Sequence, residues 1–348
     1  MYYNLKHLCS CGEGIESMVY GTRKGNWSIT TTADDLAEGL FGQIVLYIFE
    51  ILPYLYSHSI YPAWDIKSKL YGVEPNFTII PGIFDLAYEL HGQSHYHIRL
   101  SDLRKYNSFV LGNNWHELHD LWHSFFRVPE RIVADANKVG DLTASLGIHY
   151  RGTDKMTSCD TNPVSQGHFI EIINDFISKR PAITSLFIAT DEFSIVAKIQ
   201  ESLPSMNIIN LGGVEFHKDQ THIQGKADRA LLDCLLLSRC KYLLMGTSAL
   251  SGFAKVLNPN LDVYRISASK LFTDIPYFPV AYIPCLKSND DATTRILHQL
   301  FADDWLTDLK TCKKFNVPFC YKTRRNFLDK LLLRLRAVFS MTMRHLRM

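Results

Sequence analysis

LGIHYRGTDKM, residues 146–156, opens as an apolar strand and then crowds His149, Arg151, Asp154 and Lys155 around Gly152. A strand that ends in a knot of charge, at the carboxyl edge of a sheet, ends where open α/β sheets bind ligands. Arg151 offers a planar fork of donors that suits phosphate oxygens, and Gly152 lets a ligand approach the backbone closely. The competing reading is a surface ion pair between Arg151 and Asp154. Placement at the strand end beside His149 favours a ligand.

Outward from this stretch, strand-like and helix-like segments alternate. SLGIHYR (145–151) leads into a helical pattern through FIEIINDFISK. Then come SLFIAT (185–190), a helix near 193–202, NIINLG (207–212), a helix over ADRALLDCLLLSRC, KYLLMG (241–246), a helix near 249–257 and LDVYRI (261–266). This alternation predicts a parallel sheet with helices on both faces, a Rossmann-like domain. The first half is less regular. Phe41, Ile44, Val45, Ile48, Phe49 and Leu52 recur at helical spacing, in a helix expected to stop before Pro53. VPERIVADANKVGDLTA, 128–144, loses that periodicity and is the expected linker. The expected organisation is an α/β lobe over 1–135, a Rossmann-like lobe over 136–321 facing it across a cleft, and a basic amphipathic helix over 322–348.

The chain has 348 residues, 47% hydrophobic and 21% charged, which is ordinary globular material for two domains. Residues 1–30 hold no apolar core of a secretory leader. The longest apolar run, IVLYIFEILPYLY from Ile44, is broken by Glu50 and Pro53 and falls short of the roughly 18 residues that a membrane span requires. None of the eight cysteines falls in a C-x-x-C pair or zinc-finger spacing, which points to thiols in a reducing compartment and a cytoplasmic protein. The net charge of +2 conceals an asymmetry: residues 322–348 carry eight Lys or Arg against one Asp, net +7, leaving −5 for the rest. No nucleic-acid partner is expected.

Three further strand ends carry polar groups. ATDE places Thr190 and Asp191 at the end of its strand, and MGTSALSG places Gly246, Thr247, Ser248 and Ser251 at a strand-to-helix turn. Asp228 and Asp233 lie on the preceding helix. A turn of small hydroxyl residues leading into a helix presents backbone N–H groups and the positive end of the helix dipole to an anion. With Arg151, this suggests a diphosphate held between two strand ends. Neither G-x-G-x-x-G nor G-x-x-x-x-G-K-[ST] occurs, against a dinucleotide dehydrogenase or a P-loop NTPase. His116, His119 and His123 fall near one helical face but do not form H-E-x-x-H, so no metal is expected there. Tyr54, Tyr56, Tyr61 and Trp64 either line an acceptor groove or pack in the core.

HYRGTDK, then Asp191 in ATDE, then D-x-x-x-x-D leading to LLMGTSALSGFAKVLN, together resemble the donor-site motifs of the fucosyltransferase superfamily, which includes α1,6-fucosyltransferases, bacterial nodulation fucosyltransferases and protein O-fucosyltransferases. EGLFGQ (38–43) is similar to the glycine-rich loop of its first lobe. The resemblance covers 145–260 well and 35–65 loosely. It implies a GT-B fold, with GDP-fucose in the second lobe, a glycan acceptor in the first, and metal-independent transfer with inversion, no cofactor being required. Carried over, Arg151 would bind the pyrophosphate with Gly152 beside it, His149 and Asp233 would lie near the nucleoside, Asp228 would belong to the donor site, Asp191 would sit near the nucleotide, and Thr247, Ser248 and Ser251 would line the phosphate turn. In two places the sequence departs from the α1,6 enzymes: Gly152 stands where they have a second arginine, and Cys159 stands where they have a catalytic glutamate, four residues past Lys155.

The chemistry requires a carboxylate to take the acceptor hydroxyl's proton, and Asp160 and Asp154 are the candidates, Asp160 preferred. Arg151 and Lys155 would stabilise the departing diphosphate. The alternatives are an inactive glycan- or nucleotide-binding module of the same fold, or the same fold with another nucleotide sugar. In the tail, Phe327, Leu328, Leu331, Leu332, Leu335, Val338 and Phe339 recur at helical spacing beside Arg324, Arg325, Lys330, Arg334 and Arg336. Such a helix either lies on the inner face of the cytoplasmic membrane, where lipid-linked glycan acceptors would be met, or docks its leucines on the first lobe.

Overall fold

The structure, a computed structural model, describes residues 27–30, 40–44, 48–49, 51–68, 71, 78–90, 96–99, 115–152, 164–212, 225–246, 248–266 and 271–273. The first part contains β1 (Trp27–Thr30), α1 (Leu40–Gln43), α2 (Leu52–Ser57), β2 (Ala63–Lys67), β3 (Thr78–Ile80), β4 (Asp85–Leu86), β5 (Tyr96–Arg99), α3 (Trp115–Phe125), β6 (Phe126–Arg127) and α4 (Glu130–Val139). The second contains β7 (Ser145–Tyr150), α5 (Gln166–Ser178), β8 (Ser185–Thr190), α6 (Ser194–Ser202), β9 (Asn207–Ile209), α7 (Lys226–Arg239), β10 (Tyr242–Met245), α8 (Ala249–Leu257), β11 (Asp262–Ile266) and β12 (Leu271–Thr273).

The second part forms a six-stranded sheet in the order β12-β11-β10-β7-β8-β9, with only β12 antiparallel to its neighbour. All six residues of β7 are buried, as a central parallel strand covered on both faces requires. From β7 the chain steps outward through β8 and β9, then returns to lay β10 on the other side of β7. This is the doubly wound order, and its reversal falls between β7 and β10. Leu146, Ile148, Leu186, Ile188 and Leu244 face α5 and α6 in one core cluster. Phe187, Ala189, Leu243, Met245 and Val263 face the other way, into a cluster with residues of α7 and α8.

That second cluster continues into the first part of the chain, whose sheet runs β3-β2-β1-β5 with β2 and β5 parallel to β1. Phe253 of α8 makes the connection: its fully buried ring lies 4.9 Å from Trp122, 5.3 Å from Phe41 and 6.0 Å from both Phe49 and Phe84. Truncating such a side chain costs about 3–5 kcal/mol, so α8 is anchored in both parts of the molecule.

One expectation is corrected. Residues 128–144 are not an unstructured linker: α4 occupies Glu130–Val139, burying Ile132 and Ala136, and it packs against α7. The boundary expected after residue 135 falls inside this helix. Helical residues at 40–44 and 48 give way to turn residues at 49 and 51, ahead of Pro53, which itself sits in the first turn of the next helix, α2, where its missing N–H has no intrahelical acceptor to lose. Leu40, Phe41, Ile44, Ile48, Phe49 and Leu52 are all buried.

Candidate active site

The strand reversal falls at β7 and β10, whose carboxyl ends are where open α/β sheets bind ligands, and these are the ends that the sequence fills with polar groups. After β7 come Arg151 and Gly152; after β10 come Gly246 and Ser248. The Gly246 N–H donates to the His149 carbonyl at 3.3 Å, so the two strand ends lie side by side. Residues separated by about a hundred positions in the chain thus share one edge.

Asp191, at the end of β8, organises the end of β7. Its Oδ1 accepts the Gly152 backbone N–H at 2.9 Å, and its Oδ2 lies 3.7 Å from Arg151 Nε. One carboxylate holds both the backbone turn and the guanidinium, which remains one-third exposed and able to meet a ligand. A side chain at Gly152 would displace its neighbours. A β-carbon there would collide with Glu192 Oε2 and would lie 2.8 Å from both Glu192 Cδ and Tyr150 Cε1.

Two buried polar atoms on either side of the reversal have no hydrogen-bond partner. His149 Nδ1 is one, in a side chain only 6% exposed; Ser248 Oγ, 3% exposed, is the other. Burial and the neighbouring Arg151 hold the His149 imidazole down from 6.5 to about 3, so it is neutral near pH 7 and offers hydrogen bonds rather than charge. Ser248 is the N-cap of α8, in extended backbone, and its hydroxyl makes no cap hydrogen bond. An N-cap serine ordinarily bonds an N–H of the first turn, and this hydroxyl does not.

The other candidates are placed differently. Ser251 Oγ donates to the Ser248 carbonyl at 3.3 Å and is fully buried, so its hydroxyl is engaged within α8. Asp228 receives a two-pronged bond from Arg131 of α4, 2.6 and 3.2 Å, and the same guanidinium donates to the Gly82 carbonyl at 3.1 Å. Asp233 pairs with Arg229 one helical turn away at 3.0 Å; burial nonetheless pushes its carboxyl up to about 6. Asp154, Lys155, Asp160 and Thr247 lie outside the described residues.

Two residues that sequence reasoning passed over stand near this edge. Glu192 follows Asp191 directly and reaches Gly152. Arg265, 1% exposed, lies on β11 in the row His149–Met245–Arg265 across three strands and so on the same sheet face as His149. Its signal was a lone arginine inside the apolar run LDVYRI. Of the aromatic candidates, Trp64 is buried, whereas Tyr56 and Tyr61 are about half exposed. The His119 and His123 rings lie 4.3 Å apart, and His119 Nδ1 is 2.8 Å from the Val256 carbonyl near the end of α8. Among the described residues, no group of three or more His, Cys, Asp or Glu side chains converges to hold a metal.

The strand order defines a doubly wound α/β domain, and its reversal lies where polar side chains gather at the strand ends. No family model matches the sequence, and neither does any curated protein. Among solved structures, the chain is similar in fold to fucosyltransferases. NodZ α1,6-fucosyltransferase soaked with GDP-fucose matches at 16% identity and a TM-score of 0.44, over 72% of this chain and 99% of that one. POFUT1 in complex with GDP matches at 12% identity and a TM-score of 0.46, over 70% and 99%. A mutant of Arabidopsis thaliana FUT1 in complex with GDP matches at 10% identity and a TM-score of 0.42, over 74% and 75%.

Proposed function

We propose that this protein is a GT-B glycosyltransferase that moves fucose from GDP-fucose to a glycan hydroxyl, with inversion and without a metal. The observation that carries this reading is the pair of buried, unpartnered atoms, His149 Nδ1 and Ser248 Oγ, flanking the strand reversal next to Arg151. A buried polar atom without a partner costs about 1–3 kcal/mol, a cost that a bound ligand would relieve. In this reading, Arg151 and the N-terminus of α8 hold the diphosphate. They stabilise its charge as the anomeric bond breaks, being already oriented before the reaction. The donor is taken from the resemblance of HYRGTDK, ATDE and MGTSALSG to the fucosyltransferase motifs. The two sheets serve as the two lobes, β3-β2-β1-β5 on the acceptor side and β12-β11-β10-β7-β8-β9 on the donor side.

The test is thermal stabilisation by GDP compared with UDP, ADP and CMP, since a ligand that binds only the folded state raises stability in proportion to ln(1 + [L]/Kd). GDP should give the largest shift, and Arg151→Lys should lose most of it because an ammonium cannot supply the two-pronged contact. A larger shift with UDP would sink the fucose reading. Cys159, at the position of the family's glutamate, favours the second reading, a binding module without transferase activity. Stabilisation by GDP without any GDP release from GDP-fucose would establish it.

A further inference from the structure

We infer that Glu192 is the general base of the transfer, an inference that rests on the GDP-fucose reading above. Of the candidate carboxylates among the described residues, Asp191 uses both oxygens at the end of β7, Asp228 is bound by Arg131 and Asp233 by Arg229. Glu192 differs. Its Oε1 accepts from Gln166 Nε2 at 2.7 Å and from Ser194 Oγ at 3.3 Å, while its backbone N–H donates to Thr190 Oγ1 at 3.0 Å. Gln166 is itself fixed, its Oε1 accepting from Lys198 Nζ at 2.6 Å and its Nε2 donating also to Ser194 Oγ at 2.9 Å. With Oε1 and the backbone held, Oε2 projects against Gly152, in the space that any side chain at 152 would occupy.

Gly152 and Glu192 therefore form a matched pair. The chain omits a side chain beside the diphosphate arginine, and a carboxylate oxygen from the neighbouring strand takes its place. A base needs an oriented carboxylate with an available lone pair next to the reacting centre, and the second requirement explains why Asp191 is unsuited. Asp160, the carboxylate preferred from the sequence, lies outside the described residues, and Glu192 gives the site a carboxylate despite Cys159. In the step, the bond from fucose C1 to the β-phosphate oxygen breaks and its electron pair leaves with GDP, opposite Arg151. The acceptor oxygen bonds to C1 from the other face, and its proton passes to Glu192 Oε2. With water as acceptor, the products are fucose and GDP.

The experiment uses the full chain, with GDP-fucose in water as the probe and GDP release as the readout. Glu192→Gln should slow release by about 100-fold or more, the usual contribution of a general base, while GDP still raises its melting temperature as in the native protein. Glu192→Ala should be slowed similarly, and formate, which supplies a small carboxylate to the vacated space, should restore at least tenfold of the rate where chloride does not. Native-like release by Glu192→Gln, or Glu192→Ala unresponsive to formate, would overturn the assignment while leaving the GDP-fucose reading intact. Loss of the GDP-induced shift in Glu192→Gln would make Glu192 a binding or structural residue and overturn it too. A native protein that neither binds GDP nor releases it from GDP-fucose would remove both readings together.

Discussion

Asp191 accepts the Gly152 backbone N–H at 2.9 Å, while its second oxygen lies 3.7 Å from Arg151. A carboxylate on the neighbouring strand therefore helps to set the orientation of Arg151, the arginine proposed to hold the diphosphate. Asp191→Asn keeps the size and an acceptor for Gly152 but discards the charge opposite Arg151. GDP affinity, measured by calorimetry, should fall about tenfold, or about 1.4 kcal/mol, with the unliganded melting temperature shifted by only a few degrees.

Ser248→Ala separates a ligand-binding hydroxyl from a helix cap. The hydroxyl is buried and makes no cap bond, so its removal should leave the unliganded protein as stable as before, or stabilise it by up to about 1 kcal/mol. The melting shift caused by GDP should shrink. A drop in unliganded stability would mean that Ser248 caps α8 after all.

His149 gives the fold a pH signature. Its folded-state value of about 3 lies below the ordinary 6.5, so the unfolded chain takes up the proton first. The stabilisation is complete above pH about 6.5 and is lost as pH falls towards about 3, at up to about 1.4 kcal/mol per pH unit for one proton. Asp233 acts in the opposite sense. Held at about 6 against an ordinary 3.8, it favours the folded state as pH falls between those values. Denaturant titrations of the native protein and His149→Leu across this range isolate the histidine: the difference between the two should vary with pH as one proton, and a flat difference would refute it.

The tail, residues 322–348, lies outside the described residues, and we propose it as a peripheral membrane contact on the basis of its net charge of +7 and its apolar helical spacing. Full-length protein should co-sediment with anionic but not neutral vesicles, more weakly as salt rises, and truncation after Lys322 should abolish binding. Equal binding by the truncated chain would assign the tail to the protein's own surface.

The sequence by itself determined the local elements of the second half. SLGIHYR, SLFIAT, KYLLMG and LDVYRI are apolar runs bounded by turns, and burial on both faces of a parallel sheet leaves that pattern on each strand independently of its neighbours. It also determined that Arg151, Asp191 and Ser248 stand at strand ends. It did not determine which strand ends adjoin. That β10 lies against β7, with Gly246 bonded to His149, follows from a crossover of the whole chain, and no periodicity records a crossover. Nor could it divide Ser248 from Ser251, because both are serines at one helix start and only packing decides which hydroxyl finds an acceptor. Glu192 remained unnoticed for the same reason. Its role depends on Gln166 and Ser194 holding one oxygen and on Gly152, forty positions earlier, leaving room for the other. Hydrophobic patterning is written into each segment, whereas the partner of a polar atom is a property of the folded arrangement alone.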